Sequence, residues 1–208
     1  MLRFLAMPLV VLVAAASIQP LPAPLKAQLK GGYWHAGCPV QLSQLRLLTV
    51  RTWGFDGKPH TGQLVVNEKA AAPLARVFVK LYALRFPIRM MQLSDAYVPG
   101  GAIPDGDITA SFECRQASAS PCTGKTSTGT WSNHTYGLAV DINPSENPYV
   151  GCGMTRDPTL LTYVNRSRLR PGMVTPTVVA AFRSIGWGWG GSWTGSTKDY
   201  MHFSFDGH

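Results

Sequence analysis

The chain has 208 residues, enough for one domain or a domain with a small appendage. With 45% apolar and only 14% charged residues it has material for a real core and is not a disordered chain. The formal charge of +8 suits a polyanionic partner such as an anionic cell wall, but the basic residues are scattered and lack an aromatic-interleaved RNA motif, so no nucleic acid is expected.

Met1-Leu2-Arg3 forms a short positive start, and Phe4 to Ile18 is an apolar run interrupted only by Pro8 and Ser17. The run is shorter than the roughly 20 residues of a bilayer span and long enough for a secretory core of about 7–15, so no stable membrane span is expected. Ala14-Ala15-Ala16 offers the small residues that a signal peptidase reads, with an uncleaved anchor as the alternative. Gln19 to Pro24 then reads as a Pro-rich tether. Residues 1–27 are accordingly assigned to signal peptide and tether, and the folded domain to 36–208.

Cys38, Cys114, Cys122 and Cys152 contain no C-x-x-C, which removes zinc ribbons and thioredoxin-type redox motifs. In an oxidising compartment an even count implies two disulfides, with three connectivities open.

Leu45 to Trp53 and Gly62 to Asn67 are rich in Leu, Val and Thr, with the turn signal Asp56-Gly57 between them, so a hairpin is expected. Leu74, Val77, Phe78 and Leu81 then recur on one helical face, and Pro87 predicts an end near Arg85. Pro87 to Leu93 is a candidate strand, and Tyr97 to Thr109 a Gly/Pro-rich loop. Thr175-Pro176 reads as an N-cap with Pro at N1, followed by the stripe Val178, Val179, Phe182 and Ile185 and a stop at Gly186. The expectation is one α+β domain.

Two stretches carry chemistry. In Ser132–Asn143, Leu138, Val140 and Ile142 alternate with Ala139, Asp141 and Asn143, which is a strand with Asp141 on its second face. His134 lies an odd number of residues before Asp141, so one continuous strand would point the two apart. Gly137 can break the strand and let them converge. Lys198–Phe205 supplies His202 with Asp199 three residues earlier. Two histidines and a carboxylate leave an open position on zinc, and an unligated second carboxylate is the general base that hydrolysis needs. By spacing alone the ordinary alternative, hydrogen-bonded core histidines, stays open.

These residues resemble the M15 family of zinc D,D-peptidases, related to D-alanyl-D-alanine carboxypeptidases and phage L-alanyl-D-glutamate endopeptidases. The pattern S-x-H-x-x-G-x-A-x-D matches Ser132, His134, Gly137, Ala139 and Asp141, and D/E-x-x-H matches Asp199 and His202. The likeness extends upstream through Gly37-Cys38-Pro39-Val40, Trp53-Gly54-Phe55-Asp56-Gly57, His60-Thr61-Gly62 and Phe86-Pro87-Ile88, covering about residues 37–206. It implies a hedgehog-like D,D-peptidase fold, a small antiparallel sheet with flanking helices. It also implies Zn²⁺ held by His134, Asp141 and His202, Asp199 as base, and Arg115 stabilising the oxyanion. The implied activity is hydrolysis of peptidoglycan stem peptides by an exported, cell-wall-associated monomer.

Ser132, Tyr200 and Trp189 are candidate substrate contacts, the last within the Trp-rich run Gly186–Trp193 that precedes the base. His35, His60 and His208 are taken as surface or structural. The chain departs from the family in a longer connection, Ala117 to Thr130, which carries Cys122. Cys38 and Cys114 lie in family-like stretches, whereas Cys122 and Cys152 lie where the chain departs, so the likeness implies the pairs Cys38–Cys114 and Cys122–Cys152. Two other functions compete: a non-cleaving wall-binding protein on the same fold, for which no ligand or base is missing, and a non-haem Fe(II) oxygenase, whose triad usually starts with H-x-D.

Overall fold

A computed structural model describes residues 16–98, 106–155 and 157–208. In chain order these form β1 (Ser17–Pro20), α1 (Ala23–Lys30), β2 (Leu45–Trp53), β3 (Pro59–Asn67), α2 (Glu68–Ala83), α3 (Leu93–Ala96), β4 (Gln116–Ser118), β5 (Ser127–Trp131), β6 (Ala139–Asp141), β7 (Tyr149–Gly151) and β8 (Met154–Thr155). They continue through α4 (Pro176–Arg183), β9 (Gly188–Trp189), β10 (Lys198–Asp199) and β11 (His202–Ser204). The result is an α+β fold of small sheets, ordered β1-β2-β3, β10-β7-β8, β6-β11-β9 and β4-β5, with every strand pair antiparallel.

The expected hairpin is β2–β3, in register from Leu45↔Asn67 to Trp53↔Pro59. Successive side chains of a strand face opposite ways, and here both faces are buried. Leu48, Val50, Leu64 and Val66 pack with Leu74, Val77, Phe78 and Leu81 of α2, and with Phe182 and Phe203. Leu45, Leu47 and Val65 turn the other way, into a second cluster with Leu21, Leu25, Leu29, Tyr33 and Phe112.

That second cluster corrects the tether expected at Gln19 to Pro24. β1 pairs with β2 from Ser17↔Thr49 to Pro20↔Arg46, and α1 buries Leu25 and Leu29 against the outer face of the hairpin. The physical reason is that β2 carries leucines on both faces, and the outer set needs a cover. Pro24 does not prevent the helix, because it stands in the first turn, where its missing N–H has no intrahelical acceptor. The signal-like run Phe4 to Ala15 lies outside the described residues, as does Pro99–Asp105 of the expected loop.

Helix α2 starts earlier than its apolar stripe implied, because Asn67 caps it by accepting from the Lys69 N–H. Pro73 removes one interior bond, and the helix tolerates this while burying Ala70, Ala71 and Leu74 around it. Pro87 to Leu93 is not a continuous strand. It makes single bridges, Trp53↔Pro87 and Met90↔Ile108, before α3 begins at Leu93. Helix α4 follows the expected cap, with Thr175 accepting from Val178 N, and Phe182 stacks on Phe203 of β11 at 3.8 Å between ring centroids.

The disulfides are Cys38–Cys114 and Cys122–Cys152. The second ties the β4–β5 connection to the β7–β8 hairpin.

Candidate metal centre

His134 sits in a 3₁₀ turn, Asn133–Tyr136, which Ser132 caps by accepting from the His134 N–H. Gly137 ends the turn at φ 65°, and a Cβ there would lie 2.6 Å from the Asn67 nitrogen, so the site needs glycine on both counts. This is the break that lets His134 and Asp141 meet. The turn is fixed to the hairpin by Asn67 Nδ2, which donates to the Tyr136 carbonyl at 2.9 Å. Asp141 ends β6 directly opposite His202 of β11, which puts both side chains on one face.

The three side chains converge. His134 Nε2 is 3.2 Å from Asp141 Oδ2, His202 Nδ1 is 3.1 Å from Asp141 Oδ1, and the two imidazole nitrogens are 3.3 Å apart. Both histidines are buried, and the three ligand atoms lie within 4.8 Å of one another. Burial pushes the Asp141 carboxyl up, but His134 and His202 hold it well below the ordinary carboxylate range. For His202 burial pushes the other way, and Asp141, with Asp199 adding to it, raises the imidazole above its usual value.

Main-chain carbonyls orient both rings. His134 Nδ1–H donates to the Ser111 carbonyl at 2.6 Å, and His202 Nε2–H donates to the His208 carbonyl at 3.2 Å. A carbonyl only accepts, so each bond fixes a tautomer and leaves the other nitrogen's lone pair facing Asp141. Two lone pairs and a carboxylate at this spacing are the donor set of a divalent N/O metal site, with the outer contacts that such ligands usually have. The tautomers that the two carbonyls select would suit a metal ion, because two facing acceptor nitrogens cannot bond to each other.

A cleft of about 920 Å³ opens over these residues and is lined also by Arg115, Ser132, Trp131, Tyr149, Trp193 and Asp199. Asp199 is on β10, paired with Tyr149 of β7. The 3₁₀ turn Gly190–Ser192 packs so tightly there that a Cβ at Gly190 would lie 2.5 Å from the Asp199 carbonyl oxygen. Arg115 is held by Glu113, with Nε to Oε2 at 2.6 Å, and its backbone is tied to the His134 turn by Thr135 Oγ1, which accepts from the Arg115 N–H at 3.0 Å and donates to its carbonyl at 2.7 Å.

Two expected substrate contacts stand elsewhere. Trp189 lines a separate cavity of about 390 Å³ with Arg166 and Val179, and it is held there by stacking on Phe203 and by donating to the Tyr200 carbonyl at 2.8 Å. The Tyr200 ring lies under the Arg166 guanidinium, 4.7 Å from its centroid, and that arginine is pushed down to about 10 by burial. Trp193 takes the cleft position instead, four residues along the same aromatic run, with Trp131 also at the cleft. Sequence reasoning also passed over Glu113, Ser111 and the His208 carbonyl. The first had a signal, since it lies two residues before Arg115; the other two act through backbone and had none. A second cluster, His35 with Cys38 and Cys114, has metal-like spacing, but its sulfurs are committed to the Cys38–Cys114 bond.

Between α2 and α3, Arg89 donates to Asp107 and to Glu146 of the segment after β6, each at 2.6 Å, and lies over the Phe55 ring. Burial and the neighbouring Asp107 push the Glu146 carboxyl up to about 7, with Arg89 opposing.

Residues 125–205 match the peptidase M15 family model described as D-alanyl-D-alanine carboxypeptidase. That stretch contains His134, Asp141, Asp199 and His202. No curated protein and no solved structure matches the chain.

Proposed function

We propose that this chain is an exported M15-type zinc peptidase that hydrolyses peptidoglycan stem peptides. The observation that carries the reading is the buried His134–Asp141–His202 group at the floor of a cleft that Asp199 and Arg115 also line. Held by those three residues, Zn²⁺ would supply a Lewis acid and bring the pKa of a water toward roughly 7.

The protein's own groups do the rest. Asp199 accepts the proton of the attacking water and returns it to the leaving amine, the role of a positioned carboxylate outside the ligand set. Arg115 donates to the carbonyl oxygen as negative charge grows there, and Glu113 holds its guanidinium in place until then. Ser111 and His208 keep both imidazoles in the required tautomers. Trp131 and Trp193 give the cleft apolar walls for an extended peptide.

Export is supported by the signal-like start and by two disulfides, which persist in oxidising compartments. Among the described residues no helix is long and apolar enough to cross a membrane. A net charge of +8 favours contact with an anionic wall.

The test is metal analysis of purified protein followed by digestion of purified peptidoglycan, with products identified by mass. One zinc per chain and release of stem-peptide fragments are expected. His134→Ala and His202→Ala should lose both, and normal metal content in both variants would overturn the assignment.

A further inference from the structure

Two separate hairpins contribute to the walls of the cleft. Gln116, Ala117, Ser118 and Thr130 of β4–β5 form one side; Tyr149 and Thr155 of β7–β8 form the other. Cys122 lies in the connection of the first hairpin and Cys152 in that of the second, with Cα atoms 5.4 Å apart, so the disulfide joins wall to wall. Their junction is packed as well as linked. A Cβ at Gly151 would meet Ser120 Oγ at 2.9 Å, Pro121 Cδ at 3.0 Å and Cys122 Sγ at 3.2 Å, and Ser120 Oγ bonds Thr197 Oγ1 at 2.6 Å. No peptide can pass between surfaces in that contact.

The register of β7 with β10 locates this closure relative to Asp199. Asp199 pairs with Tyr149 and Lys198 with Val150, so Gly151 is two residues further along the same strand. A strand advances about 3.3 Å per residue, which sets the closed end roughly 6–7 Å beyond Asp199. An extended peptide advances at the same rate, so about two residues fit in that interval.

We propose that the Cys122–Cys152 junction is a stop on the leaving-group side of the cleft, restricting hydrolysis to bonds followed by one or two residues. This rests on the peptidase reading above, since a leaving amine that takes its proton from Asp199 must start beside that carboxylate. The chain beyond that amine then runs along β7 into the joined walls.

The experiment uses the oxidised, metal-loaded full chain and peptides identical on the acyl side, with leaving groups of one, two and four residues. Wild-type kcat/KM is expected to fall about tenfold or more between two and four residues, the size of effect that a steric block imposes. The double variant Cys122→Ser/Cys152→Ser, at equal metal content, should narrow that ratio to within about threefold, while Cys38→Ser/Cys114→Ser keeps it. Equal wild-type rates on two- and four-residue leaving groups would overturn the stop, and this arm needs no variant to fold. So would full discrimination in the bridge-free variant. The same peptides measured for binding to Asp199→Asn separate the two readings. Length-graded binding without any wild-type turnover removes the peptidase reading alone, and length-independent binding removes the stop.

Discussion

Replacing Leu29 by alanine tests whether residues 17–30 are part of the fold or a tether. Leu29 is 0% exposed and packs with Leu25, Tyr33, Leu45, Leu47, Val65 and Phe112. A buried Leu→Ala change loses the transfer energy of the removed carbons and leaves a cavity, together about 2–5 kcal/mol. Alanine is also a good helix former, so no loss of helix propensity confuses the comparison. In a protein of this size each kcal/mol moves Tm by about 2–4 °C, so a fall of roughly 5–15 °C is expected. Urea unfolding at an unchanged slope would confirm that stability alone has moved. Lys30→Ala, one residue on and exposed, is the control and should stay within about 0.5 kcal/mol. A Leu29→Ala midpoint no lower than the control's would refute the packing argument. The consequence reaches the site, because Tyr33 N–H donates to the Leu29 carbonyl and Cys114 N–H to that of Tyr33, one residue before Arg115.

Asp199→Ala should retain metal and lose hydrolysis, whereas Asp141→Ala should lose metal; the opposite pattern in metal analysis would show the two carboxylates exchanged. Glu146 gives a pH dependence. Its carboxyl is pushed up from 4.5 to about 7 in the folded chain, so the stability tied to its protonated form is complete below about pH 4.5 and lost as pH rises through about 7. Unfolding free energies measured by urea from pH 4 to 8 should fall by an amount on the order of 1–3 kcal/mol in the wild type and flatten in Glu146→Gln; parallel curves would refute the assignment.

Residue order alone carries what depends on local periodicity and spacing. The alternation of β2 and β3, the stripes of α2 and α4 and the break at Gly137 all follow from side chains a few residues apart. Such patterns are written directly into the order of residues. The likeness to a known family added the grouping of His134, Asp141 and His202 as ligands, the roles of Asp199 and Arg115, and the cysteine pairing. Features made between distant segments, or by backbone, emerge only once the chain is folded. Leu21, Leu25 and Leu29 repeat at helical spacing, but beside a signal-like run they read as tether until the outer face of β2 is seen to need a cover. Trp189 and Trp193 are indistinguishable in an aromatic run; the turn Gly190–Ser192 sends one into the core beside Phe203 and the other to the cleft. The carbonyls of Ser111 and His208 set the histidine tautomers, and every residue has a carbonyl, so no sequence pattern could single those two out.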